Sequence, residues 1–150
     1  MKTWIALTLW ILVAMSAGFI GSRFPTGEWY AGLEKPPWNP PGWVFGPVWT
    51  LLYILMGIAA WMVWKGQGFS IPIYIFLFQL ALNALWSYLF FGINRPDLAF
   101  IEIAVLWVFI LFTMVLFWKV RTAAGVLFIP YLLWVSFASV LNFTLWKLNS

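Results

Sequence analysis

The chain has 150 residues, of which 65% are hydrophobic, 22% aromatic and 8% charged, and its eight basic and four acidic residues give a net charge of +4. A mean hydropathy of +0.96 leaves too little polar surface to cover a soluble globule, so the composition is that of an integral membrane protein. The cations stand singly between apolar runs and form no nucleic-acid footprint, while the lack of any His or Cys excludes disulfides, thiolate or imidazole catalysis, an ordinary zinc site and the usual protein ligands of haem iron.

The run from Thr3 to Ser22 is uncharged and reaches the roughly 20 residues that cross a bilayer. It predicts a retained first helix over about residues 4–22 rather than a cleaved secretory signal, whose apolar core is shorter. Ala14, Gly18 and Ser22, and also Ala17 and Gly21, have small-xxx-small spacing, which reads as a packing face first and a dimer face second.

Between Glu28 and Trp49 stand five prolines and four tryptophans. Pro36, Pro37, Pro40 and Pro41 each remove a backbone donor and push the preceding residue to extended geometry, so most of this stretch cannot be a regular helix. It predicts a rigid aromatic loop that either lids the bundle or merely anchors it at the interface.

A second span follows at about residues 43–65, with Pro47 in its first turns, and closes at Lys65 and a Gly-Gln-Gly turn. Ser70 and Pro72 open a third span at about 71–92, in which Gln79, Asn83 and Ser87 recur every fourth residue and share one face. A fourth, at about 97–119, begins after Pro96 and carries Glu102, read as favouring that helix's N-terminal dipole or as functional. The fifth, about 122–147, is expected to bend at Pro130. The fold class is therefore all-α: a single domain, residues 1–150, forming a five-helix transmembrane bundle with a Pro/Trp-rich loop between helices 1 and 2. Lys2, Lys65, Lys119 and Arg121 on one side balance Arg23, Lys35, Arg95 and Lys147 on the other, so the positive-inside rule assigns no orientation.

At ~1.5 Å per helical residue, Trp49 falls about 9 Å below the loop side, Trp86 about 9 Å and Asn83 about 13 Å, with Ala138 and Asn142 at similar depth. Amides at that depth need protein partners, so Gln79, Asn83 and Asn142 are expected to face the bundle, with Asn83 serving as interhelical glue or as a ligand contact. Trp49, Trp86 and Trp134 lie away from the interfacial belt to which Trp4, Trp64, Trp118 and Trp146 are assigned. Such a layer of large aromatics beside small residues suits a flat hydrophobic ligand.

Three stretches, WYAGLEKPPWNPPGWVFGPVWTLLY (29–53), QLALNALWSYLFFG (79–92) and PYLLWVSFASVLNFTLW (130–146), closely resemble the translocator protein and tryptophan-rich sensory protein family, TspO/MBR. The resemblance covers essentially the whole chain. It implies five transmembrane helices, frequent homodimerisation, and a pocket under the first loop for porphyrins such as protoporphyrin IX, sterols and benzodiazepine-type ligands. Carried over by motif, it implies that Tyr30, Trp38, Trp49, Asn83, Trp86, Phe90, Trp134 and Ala138 line that pocket, with no obligatory cofactor and no metal. Trp49 and Trp134 resemble the tryptophans implicated in light-dependent porphyrin breakdown, the one enzymatic reading compatible with this composition. The family's sterol motif is incomplete, because Phe143 stands between Val140 and Lys147 where a tyrosine is needed, and such motifs are weak in any case. A membrane receptor or transporter for tetrapyrroles, in the bacterial cell membrane, is the leading expectation; a photo-oxidative enzyme and a sterol-binding or structural membrane subunit are the alternatives.

Overall fold

The computed structural model describes residues 3–150; Lys2, counted above toward orientation, lies outside them. The chain forms α1 (Thr3–Gly21), a short α2 (Gly27–Ala31), α3 (Gly42–Gln67), α4 (Ile71–Ser87) continued by a π-helical turn (Tyr88–Gly92), α5 (Pro96–Val120), α6 (Thr122–Leu127) and α7 (Ile129–Leu148). Five segments, α1, α3, α4 with its π turn, α5, and α6 with α7, are long and apolar enough to cross a membrane, which makes this an all-α, multi-pass membrane protein.

Local chemistry explains where each helix begins and stops. Prolines open three of them: Pro72 in α4, Pro96 in α5 and Pro130 in α7 all lie within the first turn, where a missing N–H costs nothing. The effect of Pro130 exceeds the bend expected of it. The last span is broken into α6 and α7 at Phe128, whose N–H turns back to the Gly125 carbonyl at 3.0 Å. At the end of α4 the Ile93 N–H reaches the Tyr88 carbonyl five residues back, a π turn of the kind often found at functional sites. Asn94 then takes a positive φ of 56°, which asparagine tolerates, and the chain reverses into α5. The Pro-rich loop is irregular except for α2, a single turn placed between Pro25 and Pro36.

The helices pack as a closed ring in the order α1, α4, α5, α6–α7, α3, so that α3 meets α1 on one side and α6 on the other. The small-residue stripe of α1 is consumed inside this ring. Ala14 and Ala17 are buried, and a Cβ added at Gly18 would fall 2.6 Å from the Tyr53 ring. At Gly57 of α3 a Cβ would lie 2.5 Å from the Ile11 Cα, so glycine there lets the α1 and α3 backbones meet directly. The core of the half nearest Arg121 is filled by Phe76, Phe117 and Phe128, all fully buried and packed tilted or edge to face with ring centroids 5.2–6.2 Å apart. The half nearest the loop is not filled.

Candidate functional site

Under the loop lies a cavity of about 430 Å³ whose lining comes from all five spans and from the loop itself. The ring order explains its composition. The last turn of α1 contributes Gly18, Gly21 and Ser22, α3 contributes Gly46, Trp49 and Tyr53, and α4 with its π turn contributes Asn83, Trp86 and Phe90. Ile103 and Leu106 of α5 and Trp134, Ala138 and Asn142 of α7 close the remaining side, and Tyr30 of α2 stands in the roof.

Stacked aromatic pairs form the walls. Trp49 lies over Tyr53 at 5.6 Å with 28° between planes, and Trp86 over Phe90 at 5.0 Å and 23°. The π turn brings Phe90 and Phe91 round to the cavity, since its extra residue in the turn rotates both rings relative to an α-helical continuation. Tyr30 meets the edge of Phe91 at 5.6 Å, and Trp134 sits between Phe45 and Phe137 at 5.9 and 5.4 Å.

Polar groups at this depth are paired in two chains. In the first, the Tyr53 hydroxyl donates to Asn83 Oδ1 at 2.6 Å, Asn83 Nδ2 donates to the Tyr131 oxygen at 2.8 Å, and the Tyr131 hydroxyl donates to Gln79 Oε1 at 2.8 Å. In the second, Trp86 Nε1 donates to Asn142 Oδ1 at 2.8 Å and Asn142 Nδ2 donates to the Pro96 carbonyl at 2.9 Å. The three amides expected to face the bundle do so, and Asn83 both bonds neighbouring helices and lines the cavity. A few polar atoms remain orphaned: Trp134 Nε1, Gln79 Nε2 and both carboxyl oxygens of Glu102 are buried without partners. Glu102 is only 8% exposed and sits in the seventh position of α5, past the turn where a helix N-terminus would reward it.

Of the eight residues singled out from sequence, Tyr30, Trp49, Asn83, Trp86, Phe90, Trp134 and Ala138 stand around this one cavity. Trp38 does not. It packs against the edge of Phe137 at 5.9 Å outside the lining and is 45% exposed. Phe24 and Thr26 after α1, Ile103 and Leu106 of α5, and Leu141 and Leu145 of α7 were not legible as site residues. Aliphatic side chains carry no depth-independent signal of whether they face a void, a neighbour or lipid. Glycines 18 and 21 did carry a signal, but one that reads equally as helix packing.

The model of the TspO/MBR family matches residues 7–147. The chain is 44% identical to the "Tryptophan-rich protein TspO" of Chlorobaculum tepidum, over 99% of this chain and 98% of that one. It is 43% identical to the "Tryptophan-rich sensory protein" of Cereibacter sphaeroides, over 96% and 92%. Against the human "Translocator protein" the identity is 38%, over 97% and 91%. With a family match spanning nearly all five helices and full-length relatives in bacteria and animals, this multi-pass membrane protein belongs to the TspO/MBR family.

Proposed function

We propose that this protein is a membrane receptor that takes flat hydrophobic ligands of the porphyrin class, protoporphyrin IX among them, into the cavity under its loop. One observation carries the reading: a space of about 430 Å³ walled from two helices by stacked aromatic pairs, Trp49 on Tyr53 and Trp86 on Phe90. This size lies within the roughly 300–1,000 Å³ typical of small-molecule sites, and π faces with sparse polar groups suit an extended aromatic ring system. The orphan N–H of Trp134 offers one donor to a ligand acceptor once the side chain shifts by a rotamer. The names "sensory" and "translocator" carried by relatives fit a receptor-like role. Since the chain has no His or Cys, retention rests on stacking and burial rather than on ligation of a bound metal. The test is a titration of nanodisc-embedded protein with protoporphyrin and with haem, followed by tryptophan fluorescence. Comparable affinities support the reading, and loss of binding on removing iron overturns it.

The second reading, light-dependent porphyrin oxidation, is favoured by the position of Trp49. Its indole stacks on Tyr53 and meets the edge of Tyr131 at 6.2 Å, so a porphyrin held against it would lie beside a cluster of oxidisable rings. Molecular oxygen would be the terminal oxidant. Illumination of wild type and Trp49→Phe separates the readings: a new product from wild type alone supports the enzyme, and equal bleaching in both and in empty nanodiscs leaves a receptor. Self-association, which the family resemblance implies, would have to use a face other than the small-residue stripe of α1, because that stripe is occupied within the chain.

A further inference from the structure

The stretch from Gly27 to Pro41 covers the cavity, with Tyr30 in the cavity roof. Its contacts with the bundle are mostly ring edges: Trp29 on Phe90 at 5.4 Å, Tyr30 on Phe91 at 5.6 Å and Trp38 on Phe137 at 5.9 Å. Such contacts tolerate sliding and tilting. Directional bonds are scarcer. Among the described residues, two hydrogen bonds alone join this stretch to distant parts of the chain, and both run to one side chain. The Glu34 N–H donates to Asn149 Oδ1 at 2.8 Å, and Asn149 Nδ2 donates back to the Glu34 carbonyl at 2.9 Å. The amide of Asn149 thus satisfies the whole backbone of Glu34 as a neighbouring strand would, across 115 residues of sequence. A further bond from Asn149 Nδ2 to the Leu145 carbonyl at 2.8 Å fixes the amide to the end of α7.

Inside the stretch the bonding is local. Lys35 Nζ donates to the carbonyls of Tyr30 at 2.8 Å and Leu33 at 3.2 Å and lies over the Tyr30 ring, which stiffens the segment as a unit. At its start Gly27 holds a φ of +60°, where glycine is free to move, and at its end Pro40 and Pro41 give way to Gly42. The result is a stiff flap with a pliable start and one polar fastening.

We infer that Asn149 is the latch of this flap, a positioning residue whose amide sets how often the roof lifts and therefore how fast a ligand exchanges with the cavity. The inference rests on reading the cavity as a ligand site. A latch equally strong with the cavity filled or empty, once broken, accelerates entry and exit together and leaves affinity little changed.

The experiment compares wild type, Asn149→Ala and Asn149→Asp as full chains in nanodiscs, with helicity by circular dichroism as the folding control. Asn149→Asp keeps the acceptor for the Glu34 N–H but loses the donor to its carbonyl, so it serves if the alanine variant does not fold. In ligand-free protein, amide hydrogen exchange at Glu34 should quicken about tenfold or more in Asn149→Ala and less in Asn149→Asp, with α4 and α5 unchanged, as expected for losing two bonds of ordinary net strength. Protoporphyrin dissociation should quicken by a similar factor while Kd moves by less than about threefold. Unchanged exchange at Glu34 overturns the latch whatever porphyrin does. Faster exchange with an unaltered porphyrin off-rate overturns its control of ligand traffic. If wild type binds no porphyrin, it is the functional reading that fails, and the exchange at Glu34 still decides whether Asn149 fastens the flap.

Discussion

Trp86 donates its indole N–H to Asn142 at 2.8 Å, and this bond ties the loop-side end of α4 to α7 beside the cavity while the other end of the same amide holds the first residue of α5. A cavity wall and a three-helix joint are therefore the same group. Asn142→Leu should leave the Trp86 N–H unpaired and strip the Pro96 carbonyl of its side-chain partner, destabilising the protein by about 1–3 kcal/mol and loosening the Trp86 ring. Thermal unfolding in detergent checks the first effect; a red-shifted, less anisotropic tryptophan emission checks the second.

Asn83 is the hub of the other chain, accepting from Tyr53 and donating to Tyr131. Asn83→Ala and Tyr53→Phe should each cost about 1–3 kcal/mol, and the double variant should cost clearly less than their sum, because both remove the same bond. A double-mutant cycle on unfolding free energy measures the shortfall, and strict additivity would mean that the bond contributes nothing.

Glu102 makes the opposite prediction. Its carboxyl oxygens are buried without a partner inside a helix pair, so replacing it with a side chain of similar volume removes a desolvated polar group and breaks no bond. Glu102→Leu should be neutral or stabilise the fold by about 1–3 kcal/mol, read as a raised melting temperature. A large destabilisation would show that the carboxyl is bonded, through water, to groups that depend on it.

How much of this could be seen in the sequence depended on what each residue type demands of its surroundings. Amides and tryptophans in hydrocarbon have few acceptable positions, so Gln79, Asn83, Asn142, Trp49, Trp86 and Trp134 could be placed by depth, and prolines marked where α4 and α5 begin. Trp38 was misplaced because its motif neighbours fix the loop's course but not which of its rings turn inward. The full break at Phe128 was read only as a bend, since a proline signals a lost bond without saying whether the helix resumes at once. The Asn149–Glu34 pairing left no trace at all, for nothing in two polar residues 115 positions apart announces a contact.

Ala138 tests whether the proposed ligand occupies this cavity. Its methyl faces the cavity from α7, and Ala138→Leu would extend three further carbons into a space of about 430 Å³. Protoporphyrin affinity should fall about tenfold or more, near 1.4 kcal/mol, with the melting temperature nearly unchanged. Equal affinity in a folded variant would put the ligand elsewhere.

The most direct test of the account is the binding of metal-free protoporphyrin to wild-type protein in nanodiscs, in darkness, followed by quenching of tryptophan emission. The cavity predicts saturable quenching with one site per chain, an affinity within about tenfold of that for haem, and loss of most of the binding when Trp49 and Trp86 are both replaced by alanine. Quenching that rises without saturation, or that is the same in the double variant and in wild type, would contradict it, placing the porphyrin in the lipid rather than between Trp49 and Trp86.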